Sequence, residues 1–505
     1  MSADAAALLG AEIVLAAVAM GIYVGGVFVS GRAVWSWIAL GGIVAAAAML
    51  GSPPSPPMAV GLLRIDSLAF YTRWLALGAG LGLVLLAPRP SETLDAPEYL
   101  GSLLLALVGL MLVGTAGDLV LVLLGLELIS IPTYVLLYLG RRDAASQEAT
   151  AKYFFLSVLA STVFLYGLSF LYGASGATDL GAIGAVLAAP DYPAGFLPVA
   201  KIALVLVFSG LCFKIAAVPF HFYAPDVYQG TSNANAALLS VVPKIGGLVA
   251  MARLLGVGLP AVASSAWPIV MGVAVLTMTF GNVVALWQSN LRRLLAYSSI
   301  AHAGYLLVGL SAYMASGGSA GTWDGLSAMT FYLLVYAVAT LGAFAALDCL
   351  GRGNRPVEDV EDLAGLAWTG GPVRPLLAWT TAALLFSLTG IPPLAGFWGK
   401  LGVFFSALEA GGPDSPVHPW FVLVAVIGLL NSAVAAAYYL RIVGVMFFRL
   451  PRATPSIRPG APAKLLALVL ACALVISIGL RPGMWISGAQ RASREASLAL
   501  PQPGR

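Results

Sequence analysis

The amino-acid sequence predicts an all-α polytopic membrane protein with about fourteen transmembrane helices. Composition is the first observation that predicts this fold class: of 505 residues, 60% are hydrophobic and only 10% are charged. Globular domains average about 45–50% apolar and about 25% charged residues. The second observation is that apolar runs of about 18 or more residues, the length of a spanning helix, recur along the whole chain. The third is that no stretch between these runs is long enough to form a soluble domain of ordinary size.

The apolar runs, numbered as predicted spans 1 to 14, are expected at 7–30, 33–51, 65–87, 98–115, 118–139, 148–173, 198–222, 232–256, 266–288, 294–313, 325–350, 375–410, 416–448 and 463–480. Helices 7 and 12 are expected to be broken, because span 7 carries Pro219 and span 12 carries Pro392 and Pro393. A broken helix at membrane depth requires neighbouring protein or an enclosed cavity to satisfy the freed backbone groups.

Arginine residues in the connections predict the orientation. Twelve arginines lie in connections that follow odd-numbered spans, whereas the other connections hold little beyond Arg64 and Arg253. Connections rich in basic residues face the cytoplasm. With an even number of spans, both termini are then expected on the outer side of the membrane.

The patterns of charge, cysteine and motif exclude several function classes. The net charge of +4 comes from scattered residues, so a nucleic-acid partner is not expected. Cys212, Cys349 and Cys472 lie in apolar surroundings without the spacing of a metal site. The sequence has no nucleotide-binding loop, flavin motif or iron–sulfur motif. We therefore expect no cofactor in this chain.

Ionisable residues inside apolar spans are the main functional signal. Glu127, Lys214, Lys244 and Lys400 lie within predicted spans, and Lys152 lies about one turn inside the end of its span. A charge at the bilayer centre costs at least about 2.5–3.5 kcal/mol on insertion scales, so such residues are usually functional. A buried lysine can gain and lose a proton near neutral pH, whereas an arginine remains charged. Proton transfer is therefore the predicted chemistry.

The carboxylate and the histidines complete the candidate set. Glu127 can hold a lysine as an ion pair, and separating the two would release the proton of the lysine. His221 and His302 titrate closest to neutrality and could relay protons between lysines through water. Alternatives without a catalytic role remain: Lys152 could extend to the membrane interface, and the buried charges could be structural pairs. Asp348, near a helix end, is expected to be an ordinary polar residue.

The two expected breaks have similar sequences. AVPFHFYAP and GIPPLAGFW each contain a small residue, an aliphatic residue, proline and then aromatic residues. Discontinuous helices in corresponding positions of two halves are typical of transporters with inverted repeats. The pattern therefore indicates a coarse internal repeat.

Roughly residues 60–450 closely resemble the subunit N family of the bacterial respiratory NADH-quinone oxidoreductase, complex I. The strings that carry the resemblance are KIAAVPFHFYAPDVYQG at 214–230, SVVPKIGG at 240–247, LRRLLAYSSIAHAGYLLVGL at 291–310 and TGIPPLAGFWGKL at 389–401. Related M-type subunits are expected to carry glutamate where Lys400 stands. The chain departs from the family pattern at Phe222 and Tyr223 and in the loop TSNANAAL, which affects the expected packing of helix 8.

The resemblance implies two inverted five-helix repeats, helices 4–8 and helices 9–13. The implied segments are 1–97 with helices 1–3, 98–256 and 257–450 with one repeat each, and 451–505 with helix 14 and a C-terminal tail. Residue by residue, it implies an ion pair of Glu127 with Lys214. The other implied site residues are a central Lys244, a terminal Lys400, a further family lysine at Lys152, and relay histidines at His221 and His302.

The implied function is proton translocation in the membrane arm of the oxidoreductase, coupled to quinone reduction elsewhere. NADH, FMN, iron–sulfur clusters and quinone are expected in partner subunits. The expected partners are antiporter-like M-type subunits, small K-, J- and A-type neighbours, and membrane lipids. The expected location is the bacterial inner membrane, with multiple crossings and both termini periplasmic.

Two alternative functions stay open. A Mrp-type cation/proton antiporter subunit would bind Na⁺ at the same carboxylate. A purely structural scaffold would use its buried charges as inert pairs.

Overall fold

Eighteen α-helices make up most of the residues that the computed structural model describes. The model describes residues 7–29, 32–54, 56–87, 96–141, 143–317, 323–352, 355–368, 370–410, 412, 414–451, 456–458 and 461–497. Within these residues the helices are α1 (Gly10–Phe28), α2 (Arg32–Met49), α3 (Ser67–Leu86), α4 (Ala96–Thr115), α5 (Leu119–Gly140), α6 (Ala144–Ser175), α7 (Leu180–Leu187), α8 (Leu197–Lys214), α9 (Ala224–Gly230), α10 (Asn233–Arg253), α11 (Pro260–Ala285), α12 (Leu291–Ser316), α13 (Gly325–Cys349), α14 (Val373–Thr389), α15 (Ala395–Glu409), α16 (His418–Phe448), α17 (Ala461–Leu480) and α18 (Pro482–Ser497).

Short polar side chains begin many of these helices. Asp66, Asp118, Asp143 and Asp324 each accept a hydrogen bond from a backbone N–H in the first turn of the helix that follows. Such caps satisfy N–H groups that have no partner within the helix. The starts of these helices are therefore readable from the sequence.

Two small antiparallel sheets lie between helices. Strand β1 (Met58–Val60) pairs with β2 (Leu63–Ile65), with Met58 opposite Ile65. Strand β3 (Leu350–Arg352) pairs with both β4 (Arg355–Pro356) and β5 (Ser456–Ile457). The second sheet ties the end of α13 to the chain just before α17.

Twelve of the described helices are long and apolar enough to cross a membrane, and α2 and α14 contain shorter apolar helices. Span 7 covers α8 and the break after it, and span 12 covers α14, a break and α15, whereas each of the other twelve predicted spans coincides with one of these helices. The all-α polytopic fold class is therefore confirmed. The count of fourteen crossings and the inverted repeat stay predictions.

Three helices occupy the centre of the bundle. The apolar windows of α10 and α12 are wholly buried and that of α13 is 89% buried, against 28% for α1 and α16. An apolar helix that is buried all round is an interior helix. Side chains on α10, α12 and α13 therefore face protein, which is where a charged group can find polar partners.

The first break begins where α8 ends, at Lys214, and the chain resumes as α9 at Ala224. Ala216 has a positive φ of 56°, a conformation that cannot continue a right-handed helix. The Val218 N–H donates to the hydroxyl of Thr277 on α11 at 3.0 Å. The Tyr223 hydroxyl donates to the carbonyl of Phe213 at 2.9 Å. Neighbouring protein thus satisfies these freed backbone groups.

The second break separates α14 from α15. Gly390 ends α14 with a φ of 95°, which favours glycine, and its N–H donates to the carbonyl of Phe386 at 3.1 Å. The N–H of Gly396 donates to the hydroxyl of Ser387 at 3.0 Å. Both helices predicted to be broken are therefore interrupted in the structure.

The chain after α17 forms a further helix rather than an extended tail. Helix α18 packs against α3, α13 and α17. The backbone N–H of Ser67, at the start of α3, donates to the Glu495 carboxylate at 2.8 Å. The sequence analysis did not anticipate this contact, because α18 is amphipathic rather than continuously apolar and pairs with residues far away in the chain.

Candidate functional site

The first cluster, named the serine pocket, consists of Glu127 and Ser130 on α5, Ser157 and Ser161 on α6, and Lys214 at the end of α8. The Lys214 Nζ lies 3.8 Å from the Glu127 carboxylate. The ammonium also donates to Ser130 at 2.6 Å, Ser161 at 3.2 Å and Ser157 at 3.3 Å. The structure therefore brings Glu127 and Lys214 together, as predicted.

Serine hydroxyls share the polar contacts of this pocket. Ser161 donates to Glu127 and accepts from Lys214, so it bridges the acid and the base. The Lys214 side chain is only 4% exposed, whereas that of Glu127 is 29% exposed. The ammonium is thus held inside the protein while its counter-ion lies near the surface of the chain.

The second cluster, named the tyrosine chamber, surrounds three basic residues: Lys244 on α10, His302 on α12 and Lys400 on α15. The surrounding side chains are Ser299, Tyr305, Tyr332, Tyr336 and Tyr439. All three basic side chains are buried. Among the described residues, no carboxylate lies within ion-pair distance of either lysine.

Lys244 is held by the α12 backbone and two hydroxyl groups. Its Nζ donates to the carbonyl of Ser299 and, at 2.6 Å, to the hydroxyl of the same residue. The Tyr336 hydroxyl donates to the Ser299 hydroxyl at 2.7 Å. The ammonium also lies 4.9 Å from the centre of the Tyr336 ring, a distance at which the ring face stabilises a cation.

His302 lies between the two lysines of the chamber. Its Nδ1 is 2.6 Å from the Tyr332 hydroxyl and its Nε2 is 3.2 Å from the Tyr439 hydroxyl. The centre of its ring lies 5.1 Å from that of Tyr336, which contacts Lys244, and 6.0 Å from that of Tyr305, which contacts Lys400. Both ring nitrogens thus have hydroxyl partners that can donate or accept a proton.

Lys400 lies directly against the second break. Its Nζ donates to the carbonyl of Thr389, the last residue of α14, at 2.8 Å and lies 4.9 Å from the centre of the Tyr305 ring. A Cβ atom added at Gly390 would lie 3.0 Å from the Lys400 Cδ. Interrupting the helix therefore provides both a carbonyl partner for the lysine and the space for its side chain.

The two clusters approach each other where α8 meets α10. A Cβ atom added at Gly247 would lie 3.3 Å from the Cβ of Lys214, and Lys244 is one helical turn before Gly247. No hydrogen bond joins Lys214 to Lys244 among the described residues. The junction between the serine pocket and the tyrosine chamber is thus close but has no direct polar link.

Lys152 lies apart from both clusters, in a polar cavity of about 300 Å³ at the helix ends. Its Nζ is 2.7 Å from Glu148 and 3.0 Å from Asp226, and its side chain is 41% exposed. Asp226 also pairs with Arg293 at 2.6 Å. Burial by itself would raise the pKa of the Asp226 carboxyl, but hydrogen bonds from Arg293 and Lys152 outweigh burial and lower it.

His221 is not hydrogen-bonded to either cluster among the described residues. It lies in the first break, with its ring 4.5 Å from that of Phe280 in an edge-to-face arrangement. The His221 Nδ1 is buried without a hydrogen-bond partner. His221 follows Lys214 by seven residues in the chain, but no hydrogen bond among the described residues connects it to the lysines.

Sequence reasoning missed the hydroxyl groups of the tyrosine chamber. Ser299 lies three residues before His302, and Tyr332 lies four residues before Tyr336, so each pair shares one helix face. This spacing was an available signal. The contacts between α12, α13 and α16 that give it meaning come only from the tertiary structure.

Three buried ion pairs were also missed. Asp348 pairs with the buried Lys464 at 2.6 Å, so it is a paired interior residue rather than an ordinary polar one. The others join Glu12 to Arg73 and Asp66 to Arg253. Burial by itself would raise the pKa of the Asp66 carboxyl, but Arg253 outweighs burial and lowers it. Each pair joins helices that are distant in the sequence, which is typical of a structural contact.

A metal centre is not evident in the described part of the chain. Within it, no group of three or more histidine, cysteine, aspartate or glutamate residues lies close enough to hold a metal ion. Cys212, Cys349 and Cys472 are buried and unpaired. The two clusters themselves contain one glutamate, three lysines and one histidine, all of which are protonatable side chains.

A polytopic helix bundle with buried lysines, a histidine and interrupted helices defines an ion-translocating membrane protein. The family described as "NADH:quinone oxidoreductase/Mrp antiporter, TM" matches residues 116–428. NADH-quinone oxidoreductase subunit N of Trichlorobacter lovleyi is 37% identical over 497 residues, which cover 95% of each chain. The chain belongs to the NADH-quinone oxidoreductase subunit N family, and the resemblance drawn from its motifs is confirmed.

Solved structures give a matching result. A chain of respiratory complex I from Thermus thermophilus superposes with a TM-score of 0.77 at 34% identity, covering 94% of this chain and 98% of that one. A chain of the Mrp complex from Dietzia sp. superposes with a TM-score of 0.79, covering 98% of both chains, but at 20% identity. The second likeness shows the fold alone.

Proposed function

We propose that protons pass through this chain between the serine pocket and the tyrosine chamber, along Lys214, Lys244, His302 and Lys400. As a member of the subunit N family, the chain is a proton-translocating membrane-arm subunit of NADH-quinone oxidoreductase. It is thus part of an enzyme whose redox chemistry takes place in other subunits.

The observation that carries the proposed route is the tyrosine chamber. Two buried lysines lie on either side of a histidine whose ring nitrogens both contact hydroxyl groups. A buried lysine can release its proton near neutral pH, and an imidazole with a hydroxyl on each side can pass one on. These groups supply acceptors and donors from α10 through α12 to α15.

The serine pocket would act as the switch of this route. While Glu127 stays near Lys214, the ion pair stabilises the ammonium. Separating the two would favour release of the proton toward Lys244, one turn from the α8–α10 contact. Ser161 contacts both charges, so it would stabilise the arrangement in which Glu127 and Lys214 are paired.

Two further residues belong to the proposal at its margins. Lys152 would collect protons at the polar cavity, where Glu148 and Asp226 keep it near the surface. His221 would relay protons through water at the first break, where its unpartnered Nδ1 could bind a water molecule.

The proposed topology places the polar cavity on the cytoplasmic side of a bacterial inner membrane and both termini in the periplasm. In support, the connections after predicted spans 5, 7, 9 and 11, together with one adjoining helix end, all contribute residues to this one cavity. These residues are Arg141, Asp226, Arg292 and Glu358 from the connections and Lys152 from the helix end. Connections on the basic side of the chain thus meet at one face of the bundle, as the arginine distribution requires.

The proposed internal organisation follows the resemblance: residues 1–97, two repeats at 98–256 and 257–450, and residues 451–505. In support, each proposed repeat contains one interrupted helix with a buried lysine at the interruption, Lys214 or Lys400. The proposed partners are M-type and small K-, J- and A-type membrane subunits and lipids. NADH, FMN, iron–sulfur clusters and quinone would belong to partner subunits.

Replacing lysines tests the route. Lys214→Ala and Lys400→Ala are each introduced into the complete oxidoreductase, which is reconstituted in liposomes, and protons pumped per NADH are measured. We expect both to lower this ratio. The matched control is Lys201→Ala, because Lys201 is an exposed lysine on the same helix as Lys214. Pumping equal to that of the parent complex in both buried-lysine variants would overturn the route.

A Mrp-type cation/proton antiporter is the second candidate, favoured only by the shared fold. In that case Na⁺ would bind at Glu127, whose partly exposed carboxylate is the sole acid of the two clusters among the described residues. Sodium-dependent exchange by the isolated chain, lost in Glu127→Gln, would support it. Unchanged coupling when Glu127 and Lys214 are both neutralised would instead support a structural scaffold.

A further inference from the structure

An apolar groove lies between α3, α13, α17 and α18, away from both ionisable clusters. It encloses about 480 Å³, within the range of about 300–1,000 Å³ that small-ligand sites occupy. Its walls are side chains such as Phe70, Trp74, Leu334, Leu341 and Leu474. The proposed proton route uses none of these residues.

The groove has the length of one leaflet of a bilayer. Along α3 it extends from Ser67 to Ala79, which is roughly 18 Å at 1.5 Å per residue. The hydrocarbon core of a bilayer is about 30 Å thick, so one leaflet contributes about half of that. The groove begins where α3 starts and α17 ends, which is the level of the membrane boundary.

The charged side chain that lines the groove lies at this boundary end. Trp485 and Arg491 of α18 line the groove there, together with Ser67. The Trp485 indole N–H is buried without a hydrogen-bond partner in the chain. Arg491 is exposed, its hydrogen bond to the carbonyl of Ser487 is long at 3.4 Å, and no carboxylate pairs with it among the described residues. This end therefore offers a cation and a free N–H.

The volume of the groove argues against a protein occupant. A helix with side chains is about 10–12 Å wide, so a cavity of about 480 Å³ would hold roughly one helical turn. An extended hydrocarbon chain is thin enough to fill the whole length of the groove.

We propose that this groove binds an anionic phospholipid, with an acyl chain between α3 and α13 and the phosphate at Arg491 and Trp485. In a membrane, apolar surface by itself gives little preference, because lipid tails are as apolar as the groove walls. Affinity therefore comes from close packing of the chain and from the pairing of guanidinium with phosphate. An uncharged quinone could fill the walls but would leave Arg491 unused.

Photochemical labelling of the complete oxidoreductase tests this site. The complex is reconstituted in vesicles of phosphatidylcholine with a trace of phosphatidylglycerol that carries a diazirine on its acyl chain, and labelled peptides are identified by mass spectrometry. We expect label on the α3, α13 and α18 residues of the groove, and about fivefold less when the same diazirine is carried by phosphatidylcholine, the ratio for one basic residue near an anionic lipid.

Two pairs of variants separate the acyl chain from the headgroup. A Cβ atom added at Gly78, which lines the groove, or at Gly444 on α16, meets nothing within 4 Å, so leucine fits both helices. Gly78→Leu fills the groove and is expected to lower labelling at least about tenfold, whereas Gly444→Leu leaves it unchanged. Arg491→Gln is expected to remove the preference for phosphatidylglycerol, whereas Arg494→Gln, on the same helix but outside the groove, keeps it.

The outcomes that overturn the proposal are distinct. Equal labelling by both lipids, or full labelling in Gly78→Leu, would exclude a site of this kind. Displacement of the label by a short-chain quinone would assign the groove to quinone instead. Cross-links from the groove to another subunit would make it a protein interface. Each readout is independent of proton pumping, so failure here leaves the proposed route untouched.

Discussion

The serine pocket and the tyrosine chamber hold buried lysines in different ways. In the serine pocket, Lys214 has a carboxylate at 3.8 Å and three serine hydroxyls. In the tyrosine chamber, Lys244 and Lys400 have carbonyl groups, hydroxyl groups and ring faces, with no carboxylate in range among the described residues. A lysine with a counter-ion is stabilised in its charged form, whereas one without a counter-ion exchanges its proton more readily.

The comparison teaches that the two regions suit different steps of one process. A pocket with an ion pair has two states, paired and separated, which other subunits could bias. A chamber with neutral partners has no such charge switch, but its hydroxyl groups and imidazole can pass protons on. We therefore expect substitutions in the serine pocket and in the tyrosine chamber to have different effects on proton pumping.

The largest expected difference is between arginine substitutions in the two regions. Arginine keeps its charge and cannot release a proton. Lys244→Arg is therefore expected to lower protons pumped per NADH by at least about tenfold, the scale for losing a proton-transferring group. Lys214→Arg also loses the releasable proton but keeps the pairing with Glu127 that would act as the switch, so we expect a smaller loss than in Lys244→Arg. The readout is pumping by complexes in liposomes, normalised to assembled complex on native gels.

Lys201→Arg serves as the control for the arginine pair, since Lys201 is exposed on α8. Equal losses at Lys214 and Lys244 would mean that the counter-ion makes no difference and that both regions release protons alike.

The next effect tests the counter-ion itself. Glu127→Gln removes the carboxylate beside a lysine that is only 4% exposed. Leaving a buried polar group without its partner costs about 1–3 kcal/mol, so we expect a several-fold loss of pumping. Glu148→Gln is the matched control, because that side chain is 65% exposed. Normal pumping in Glu127→Gln would remove the switch from the proposed mechanism.

A smaller effect is expected from the hydroxyl groups around His302. Tyr332→Phe and Tyr439→Phe each remove one hydrogen-bond partner of the imidazole without changing ring size. A net hydrogen bond contributes about 0.5–1.5 kcal/mol, so each variant should slow proton transfer by about two- to tenfold. The pumping rate in H₂O and in D₂O measures how much proton transfer is slowed. Tyr172→Phe, at an exposed site on α6, is the control.

The smallest effect is expected at Lys152. Its ion pairs with Glu148 and Asp226 are exposed, and exposed pairs contribute at most about 1 kcal/mol. Lys152→Ala should therefore reduce pumping by less than about fivefold, and the reduction should shrink as salt screens the cavity. A loss as large as that of Lys244→Arg would instead make Lys152 an obligatory proton carrier.

Much of the fold was predictable because lipid imposes simple rules. Runs of apolar residues long enough to cross a bilayer marked each of the predicted spans, and Pro219 and the Pro392–Pro393 pair marked both interrupted helices. Helix boundaries were less predictable, since α8 ends at Lys214, well before Pro219. Helix α18 was not predicted, because its packing depends on α3 and α13 rather than on its own hydrophobicity.

The candidate site was predictable where it consists of ionisable residues, because such residues are rare in membrane-spanning helices and are usually functional there. A glutamate and lysines in apolar spans stand out in the sequence, and the resemblance to the subunit N family implied the pairing of Glu127 with Lys214, which lie 3.8 Å apart. The partners of Lys244 and Lys400 did not follow, because serine, tyrosine and backbone carbonyls are common in such helices. The isolation of His221 from the hydrogen-bonded clusters was equally hidden.

The sequence by itself determined the fold class, the two interrupted helices, the family and the presence of Lys214, Lys244, His302 and Lys400 inside apolar spans. Each of these follows from residue type and spacing along one chain, because the cost of charge and of broken helices in lipid is a local property. Only the tertiary structure decided that Lys244 and Lys400 have no carboxylate in range among the described residues, that His302 lies between these two lysines, and that α18 closes a groove against α3. These are distances between helices far apart in sequence, which packing sets and local pattern does not record.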